Sequence, residues 1–265
     1  MEGRALRERG QDQGPSPVSP FRYPLIAARL LAMLLALIGG VVLYGLCACF
    51  TRSNPAPRLF LGALGRICGL RIRIIGKAAG KNTVILANHM SWLDIPALSG
   101  ACGCAFVAHD GLSSIGPLRW LCELNDTVFV ARHDRRSVSA QIAQVRKALS
   151  EIGLLTIFPE GTTGDGVTVL PFKSSLLSAL DGQSQQLAVQ PVHLDYGDHA
   201  REIAWLGDES GIANAMRILS RWRPIPLTIR FLEPLAPEDR ADRKAMARAA
   251  RDAILAAAQT KSMIS

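Results

Sequence analysis

Several familiar chemistries are missing from this chain of 265 residues. Its six cysteines (Cys47, Cys49, Cys68, Cys102, Cys104 and Cys122) form no C-x-x-C pair, and no histidine stands at zinc-finger distance from them. They read as small buried thiols of a reducing compartment. No G-x-S-x-G occurs, which argues against a hydrolase built on a nucleophile elbow. The stretch Gly76-Lys77-Ala78-Ala79-Gly80-Lys81-Asn82 is one residue short of a phosphate-cradling loop and lacks its Ser/Thr. Aromatic residues make up only 6% of the chain and do not interleave with the basic ones, which argues against nucleic acid as a partner. No internal repeat is present.

Acidic charge is scarce in the first third. Residues 1–81 carry twelve Lys/Arg against three Asp/Glu, whereas residues 82–265 carry eighteen against nineteen. The net +8 is therefore an N-terminal property. Basic residues beside an apolar segment suit anionic lipid headgroups.

That apolar segment is residues 30–50, which hold no charge. At 1.5 Å per residue the run reaches about 31 Å, enough for a hydrocarbon core of ~30 Å. It is longer than the apolar part of a cleaved leader, and no small-residue cleavage site follows it, so a retained anchor is expected. Arg22 and Arg29 before it and Arg52 and Arg58 after it leave its orientation open. Residues 59–70, interrupted by Arg66, suit an interfacial amphipathic helix. Residues 1–20, rich in Gly, Pro, Gln, Ser and charge, are expected to be disordered. The expected organisation is thus a tail over 1–20, an anchor and interfacial helix over 21–70, and an α/β domain over 71–265.

In that domain strands are predicted at 71–77, 83–87, 105–108, 127–131, 154–158, 187–194 and 227–232, with helices at 137–152, 174–180 and 239–258. Such alternation predicts a mostly parallel sheet with helices on both faces.

The chemistry concentrates at strand ends. Asn88-His89-Met90-Ser91-Trp92-Leu93-Asp94 follows the strand at 83–87, and ligands of open α/β sheets bind at the carboxyl ends of strands. Five positions along one helix turn about 500°, so His89 and Asp94 meet only if His89 lies in the loop and Asp94 in a helix that starts there. The carboxylate then fixes the tautomer at Nδ1 and leaves Nε2 free to take a proton from a hydroxyl. Phe158-Pro159-Glu160-Gly161-Thr162-Thr163-Gly164-Asp165-Gly166 follows a second strand; its glycines allow close approach of a ligand, and Glu160 can accept from substrate hydroxyls. Pro171-Phe172-Lys173 places a cation ahead of a helix.

Together these segments resemble the lysophospholipid acyltransferase family, typified by 1-acylglycerol-3-phosphate acyltransferase. Its H-x-x-x-x-D stands as His89…Asp94, its FPEG as Phe158-Pro159-Glu160-Gly161, its F-x-x-R as Phe129-Val130-Ala131-Arg132, and its Val-Pro strand motif as Val189-Gln190-Pro191-Val192. The resemblance implies acyl transfer from acyl-CoA or acyl-carrier protein to a lysolipid hydroxyl, with no metal and no cofactor beyond that co-substrate. His89 and Asp94 would be catalytic, and Arg132, Glu160 and Gly161 would hold the acceptor, with Thr162, Thr163, Lys173 and His109. Replacement of His89 or Asp94 by Ala is expected to abolish transfer and leave the fold intact. The implied place is the inner membrane, with the domain facing the cytoplasm where the acyl donors are.

Three departures from the family's pattern bear on the acceptor. Phosphatidate-forming members have Lys where His109 stands, Arg where Thr163 stands, and Gly where Asp126 stands. The first two remove cations that grip a phosphate monoester, each charge-assisted pair being worth about 1.5–3 kcal/mol. The acceptor that the resemblance implies is 1-acylglycerol-3-phosphate, held by Arg132 and His109 and giving phosphatidate; the alternative is another lysolipid such as lyso-ornithine lipid. A lipid-binding module without activity is the alternative of a different class, and the intact His89, Asp94 and Glu160 argue against it.

Overall fold

The structure, a computed structural model, describes residues 19–50, 54–109, 128–130, 138–180, 186–207 and 209–262. The expected disorder of the N-terminal tail falls almost wholly outside them. Seven strands appear among the described residues: β1 (Leu70–Ile75), β2 (Thr83–Ala87), β3 (Ala105–His109), β4 (Val128–Val130), β5 (Leu154–Ile157), β6 (Ala188–Asp195) and β7 (Ile225–Phe231). They form one sheet in the order β1-β7-β6-β2-β5-β3-β4. Every neighbouring pair is parallel except β6 and β7, which run antiparallel. The mostly parallel α/β sheet is thus as expected.

β2 lies near the middle of the sheet and all five of its residues are buried. Alternate side chains of a strand point to opposite faces. Ile85 and Ala87 accordingly enter one apolar core, while Val84 and Leu86 enter a second. The first core takes in α3 (Asp94–Cys102), α5 (Ala200–Ile203) and α6 (Gly211–Leu219); the second takes in α4 (Val138–Ile152), the 3₁₀ turns at Ser174–Leu180, and α7 (Arg243–Ser262). A strand covered on both faces reads as a continuous apolar run, as Thr83-Val84-Ile85-Leu86-Ala87 does.

Two helices precede the sheet: α1 (Tyr23–Ala48) and α2 (Ala56–Ile67). The 26 residues of α1 reach about 39 Å, longer than the apolar run alone because its first two turns dock on the domain. Ile26 is buried there, and Arg29 donates to the carbonyl of Leu219 at the end of α6 (2.9 Å), where a cation also suits the helix dipole. Beyond that point Leu30, Leu31, Leu34, Leu35, Ile38, Val42 and Leu46 are all exposed. α1 is long and apolar enough to cross a membrane, and its most apolar stretch is buried nowhere in the chain. An exposed apolar surface of this size marks an interaction site, and the length and composition of α1 suit a membrane.

Asn54 ties the α1–α2 connection by donating to the carbonyl of Tyr44 (2.9 Å) and accepting from the amide of Ala56 (3.1 Å). α2 crosses α3 where two glycines meet: a Cβ built on Gly100 would stand 2.8 Å from the Cα of Gly62. Arg58 of α2 donates to the carbonyl of Ala101 (3.0 Å) in the last turn of α3. The anchor therefore rests on the helix whose first residue is Asp94.

Candidate active site

His89 lies in the loop after β2, and Asp94 opens α3. The two meet at 2.8 Å between Nδ1 and Oδ2. The same Oδ2 accepts the amides of Met90 (2.7 Å) and Ser91 (3.0 Å), so the loop wraps around the carboxylate. Oδ1 accepts the hydroxyl of Tyr196 (2.7 Å), which follows β6. Asp94 is fully buried, and four donors offset the cost of taking its carboxyl out of water. Burial, the Asp94 charge and this hydrogen bond all push the Tyr196 phenol well above its usual range, so it serves as a permanent donor.

The imidazole is held on its face as well. The Phe158 ring stacks on it with centroids 4.1 Å apart and planes 17° from parallel. With Nδ1–H given to Asp94, Nε2 is the acceptor nitrogen, and His89 lines the cleft described below.

The Phe158-Pro159-Glu160-Gly161 loop after β5 grips the main chain of His89 from two sides. Glu160 Oε1 accepts its amide (3.3 Å), and the amide of Gly164 donates to its carbonyl (2.7 Å). Thr163 Oγ1 donates to the Trp205 carbonyl, and the Trp205 amide donates to the Met90 carbonyl (2.9 Å), which closes the brace. Gly166, at φ +73°, could not carry a side chain, since a Cβ there would strike Met90 Sδ and Ala200 Cβ. Glu160 is buried, and that burial pushes its carboxyl up to about 8 against the pull of the His89 amide. At neutral pH it is mostly a neutral acid. It can then donate a hydrogen bond as well as accept one, which its sequence context does not reveal.

These elements enclose a cleft of about 580 Å³ at the carboxyl ends of β2, β5 and β6. Its floor carries His89 and Glu160. The loop at 166–169 forms one wall, and the residues from His193 to Arg201 form the other.

The sequence-predicted residues fall in different places. His89, Asp94 and Glu160 are brought together. Gly161 takes φ +68° at the turn, Thr162 is exposed, and the Thr163 hydroxyl is engaged with Trp205. Lys173 is exposed beside Gly161, with its amide on the Pro159 carbonyl (2.8 Å), and is not among the described residues that line the cleft. His109 ends β3, while Arg132 and Asp126 lie outside the described residues. Tyr196 was not foreseen. Its one sequence signal is its position just past the polar end of a buried strand, 102 residues from its partner.

A loop histidine held by a helix-borne carboxylate at the strand ends of an α/β sheet has the geometry that a general base requires. The acyltransferase family model matches residues 71–194. Lyso-ornithine lipid O-acyltransferases are similar at 31% identity: that of Brucella abortus over 92% of this chain and 96% of its own length, and that of Rhodobacter capsulatus over 86% and 88%. The 1-acyl-sn-glycerol-3-phosphate acyltransferase of Neisseria meningitidis is 36% identical over 52% of this chain and 55% of its own. The crystal structure of the 1-acyl-sn-glycerophosphate acyltransferase of Thermotoga maritima shares the fold, with a TM-score of 0.64 at 21% identity, over 91% of this chain and 96% of that one. The chain belongs to the acyltransferase family, and it is a lysolipid O-acyltransferase.

Proposed function

We propose that the acceptor is a lyso-ornithine lipid and that His89 is the general base of its acylation. The supporting observation is the His89–Asp94–Tyr196 chain at the floor of the cleft. Nε2 takes the proton of the acceptor hydroxyl as its oxygen attacks the thioester carbonyl of acyl-CoA or acyl-carrier protein. The tetrahedral oxyanion collapses, the C–S bond breaks, and the imidazolium returns the proton to the departing thiolate. Asp94 holds the imidazolium through Nδ1–H, and a base placed in this way contributes about 10²–10⁴-fold. No acyl-enzyme intermediate is involved.

Two observations favour the ornithine acceptor. The position where phosphatidate-forming members carry Arg is Thr163, whose hydroxyl is spent on Trp205. The lyso-ornithine lipid enzymes match along nearly the whole chain, whereas the Neisseria enzyme matches along about half. The intact FPEG block and that 36% identity keep 1-acylglycerol-3-phosphate as the second reading. Among the site residues, Glu160, Gly161, Thr162 and Lys173, with Arg132 and His109, remain the proposed acceptor contacts, whereas the Thr163 hydroxyl, held by Trp205, braces the loop. The enzyme would work at the inner membrane with the domain in the cytoplasm, where the thioester donors are.

The test is to offer the purified full-length protein lyso-ornithine lipid and 1-acylglycerol-3-phosphate, each with acyl-CoA and with acyl-carrier protein. The expected result is faster transfer to the ornithine acceptor and none by His89→Ala. Near wild-type turnover by His89→Ala would refute the mechanism, and faster transfer to the phosphate acceptor would refute the substrate.

A further inference from the structure

The wall of the cleft opposite the 166–169 loop has a charge pattern that the chemistry above leaves unused. Asp195 ends β6, the 3₁₀ turn at Gly197–His199 brings Asp198, and α5 brings Arg201, and all three line the same cleft as His89. Asp195 Oδ1 accepts the amide of Gly197 (2.8 Å), which fixes the turn and sets the carboxylate. Arg201 is exposed, and its charge is felt by Asp165, which does not itself line the cleft. Asp165 is itself occupied in accepting the amides of Val167 and Thr168 (2.9 Å each).

Among the described residues that line the cleft, the charged groups are thus two carboxylates and one guanidinium, with Glu160 as a largely neutral acid. A phosphate monoester, with a charge near −2, meets one cation and two anions on such a wall. An N-acylated ornithine instead carries one free ammonium and one free carboxylate, and it finds a partner for each.

We infer that the wall formed by Asp195, Asp198 and Arg201 is the acceptor's headgroup subsite, with the two carboxylates on the ammonium and Arg201 on the carboxylate of an amino-acid headgroup. This deepens the proposed function and rests on it. The guanidinium's planar fork suits a carboxylate. The subsite shares one cavity with His89, so a lipid held by its zwitterionic end keeps its hydroxyl near Nε2.

The test uses full-length Arg201→Gln and the double variant Asp195→Asn/Asp198→Asn, in which the amide oxygen preserves the Gly197 contact. Each is assayed with lyso-ornithine lipid, with its N-acetylated headgroup analogue, and with 1-acylglycerol-3-phosphate. In the wild type, acetylation raises KM about tenfold at a nearly constant kcat. In the double variant, KM for the unmodified lipid rises about tenfold and acetylation has no further effect. Arg201→Gln raises KM for both ornithine acceptors alike. Melting curves of the variants verify the fold. If the wild type acylates lyso-ornithine lipid but KM does not respond to the variants, or acetylation costs the double variant as much as the wild type, the subsite is wrong and the proposed function stands. If the wild type acylates only the phosphate acceptor, both are wrong.

Discussion

Asp94→Asn separates two roles that the carboxylate combines. In the wild type Oδ2 accepts three donors, His89 Nδ1–H and the amides of Met90 and Ser91, while Oδ1 accepts Tyr196. An asparagine has one carbonyl oxygen. It must occupy the Oδ2 position, because an NH₂ there would point its hydrogens at two backbone N–H groups. The new amide nitrogen then faces Tyr196, whose hydroxyl can rotate to accept. The backbone wrap, the Tyr196 contact and the Nδ1–H tautomer all survive, and the negative charge is what is lost. A hydrogen bond to a charged group is worth about 1.5–3 kcal/mol, against about 1 for a neutral one. The imidazolium that forms during transfer thus loses about 0.5–2 kcal/mol, and kcat falls roughly 2- to 30-fold with KM little changed. Thiol release with saturating acyl-CoA measures this directly. An unchanged kcat would mean that the charge plays no part. A loss as complete as that of His89→Ala would mean that the tautomer has flipped and that the oxygen does not stay with the two amides.

Tyr196→Phe strips one donor from the buried Asp94 Oδ1, so stability should fall by about 1–3 kcal/mol in urea and kcat by about tenfold; unchanged stability would mean that water replaces the phenol. Glu160→Gln should alter the pH dependence of stability. The folded carboxyl sits at about 8, above its ordinary 4.5, so its contribution is full below 4.5 and is lost as pH rises through 8. Between those values the wild type should lose up to roughly 1.4 kcal/mol per pH unit relative to Glu160→Gln, and parallel melting curves would contradict the shift. Gly100→Ala pushes a Cβ onto the Gly62 backbone and should cost about 1–3 kcal/mol and lower kcat while vesicle binding persists; a variant as stable and active as the wild type would show that the crossing has room.

Asp94→Ala, by contrast, tests folding more than chemistry. From the sequence alone Asp94 is the carboxylate that orients His89, which alanine could replace without harm to the fold. Its complete burial changes that expectation, because alanine leaves the Met90 and Ser91 amides and the Tyr196 hydroxyl without their acceptor, at about 1–3 kcal/mol each. Against a total stability of about 5–15 kcal/mol this threatens the whole molecule.

What the sequence conveys is local. The strand at 83–87 and the loop-plus-helix placement of His89 and Asp94 follow from an apolar run and from the 100° step of a helix, and both match the structure. The helix predicted at 174–180 is a series of 3₁₀ turns, and the last helix starts at Arg243 rather than 239, because Asp242 accepts the amides of Lys244 and Ala245 and so sets its start. α6 went unread, although Ser210 caps it by accepting from Ala213, because nine residues give too short a pattern. The antiparallel β6–β7 pair also has no local signature. Tyr196, Asp195 and Arg201 escaped notice for the same reason. Their roles depend on β6 lying beside β2, a pairing of residues about a hundred positions apart, and no spacing rule within a single segment encodes it.

The N-terminal helices are tied to the site by packing. α1 offers lipid an apolar flank, but its first turns are fastened to α6 through Ile26 and Arg29. α6 in turn holds the catalytic loop, since buried Asn214 accepts from Trp92 Nε1 (3.1 Å). α2 adds a second fastening, at the Gly62–Gly100 crossing, to the helix that begins with Asp94. The His89–Asp94 loop is therefore clamped between two elements that both bear on the membrane helix. Packed interiors transmit displacement rather than absorb it, so a shift of α1 is passed on to the loop that carries His89 and Asp94.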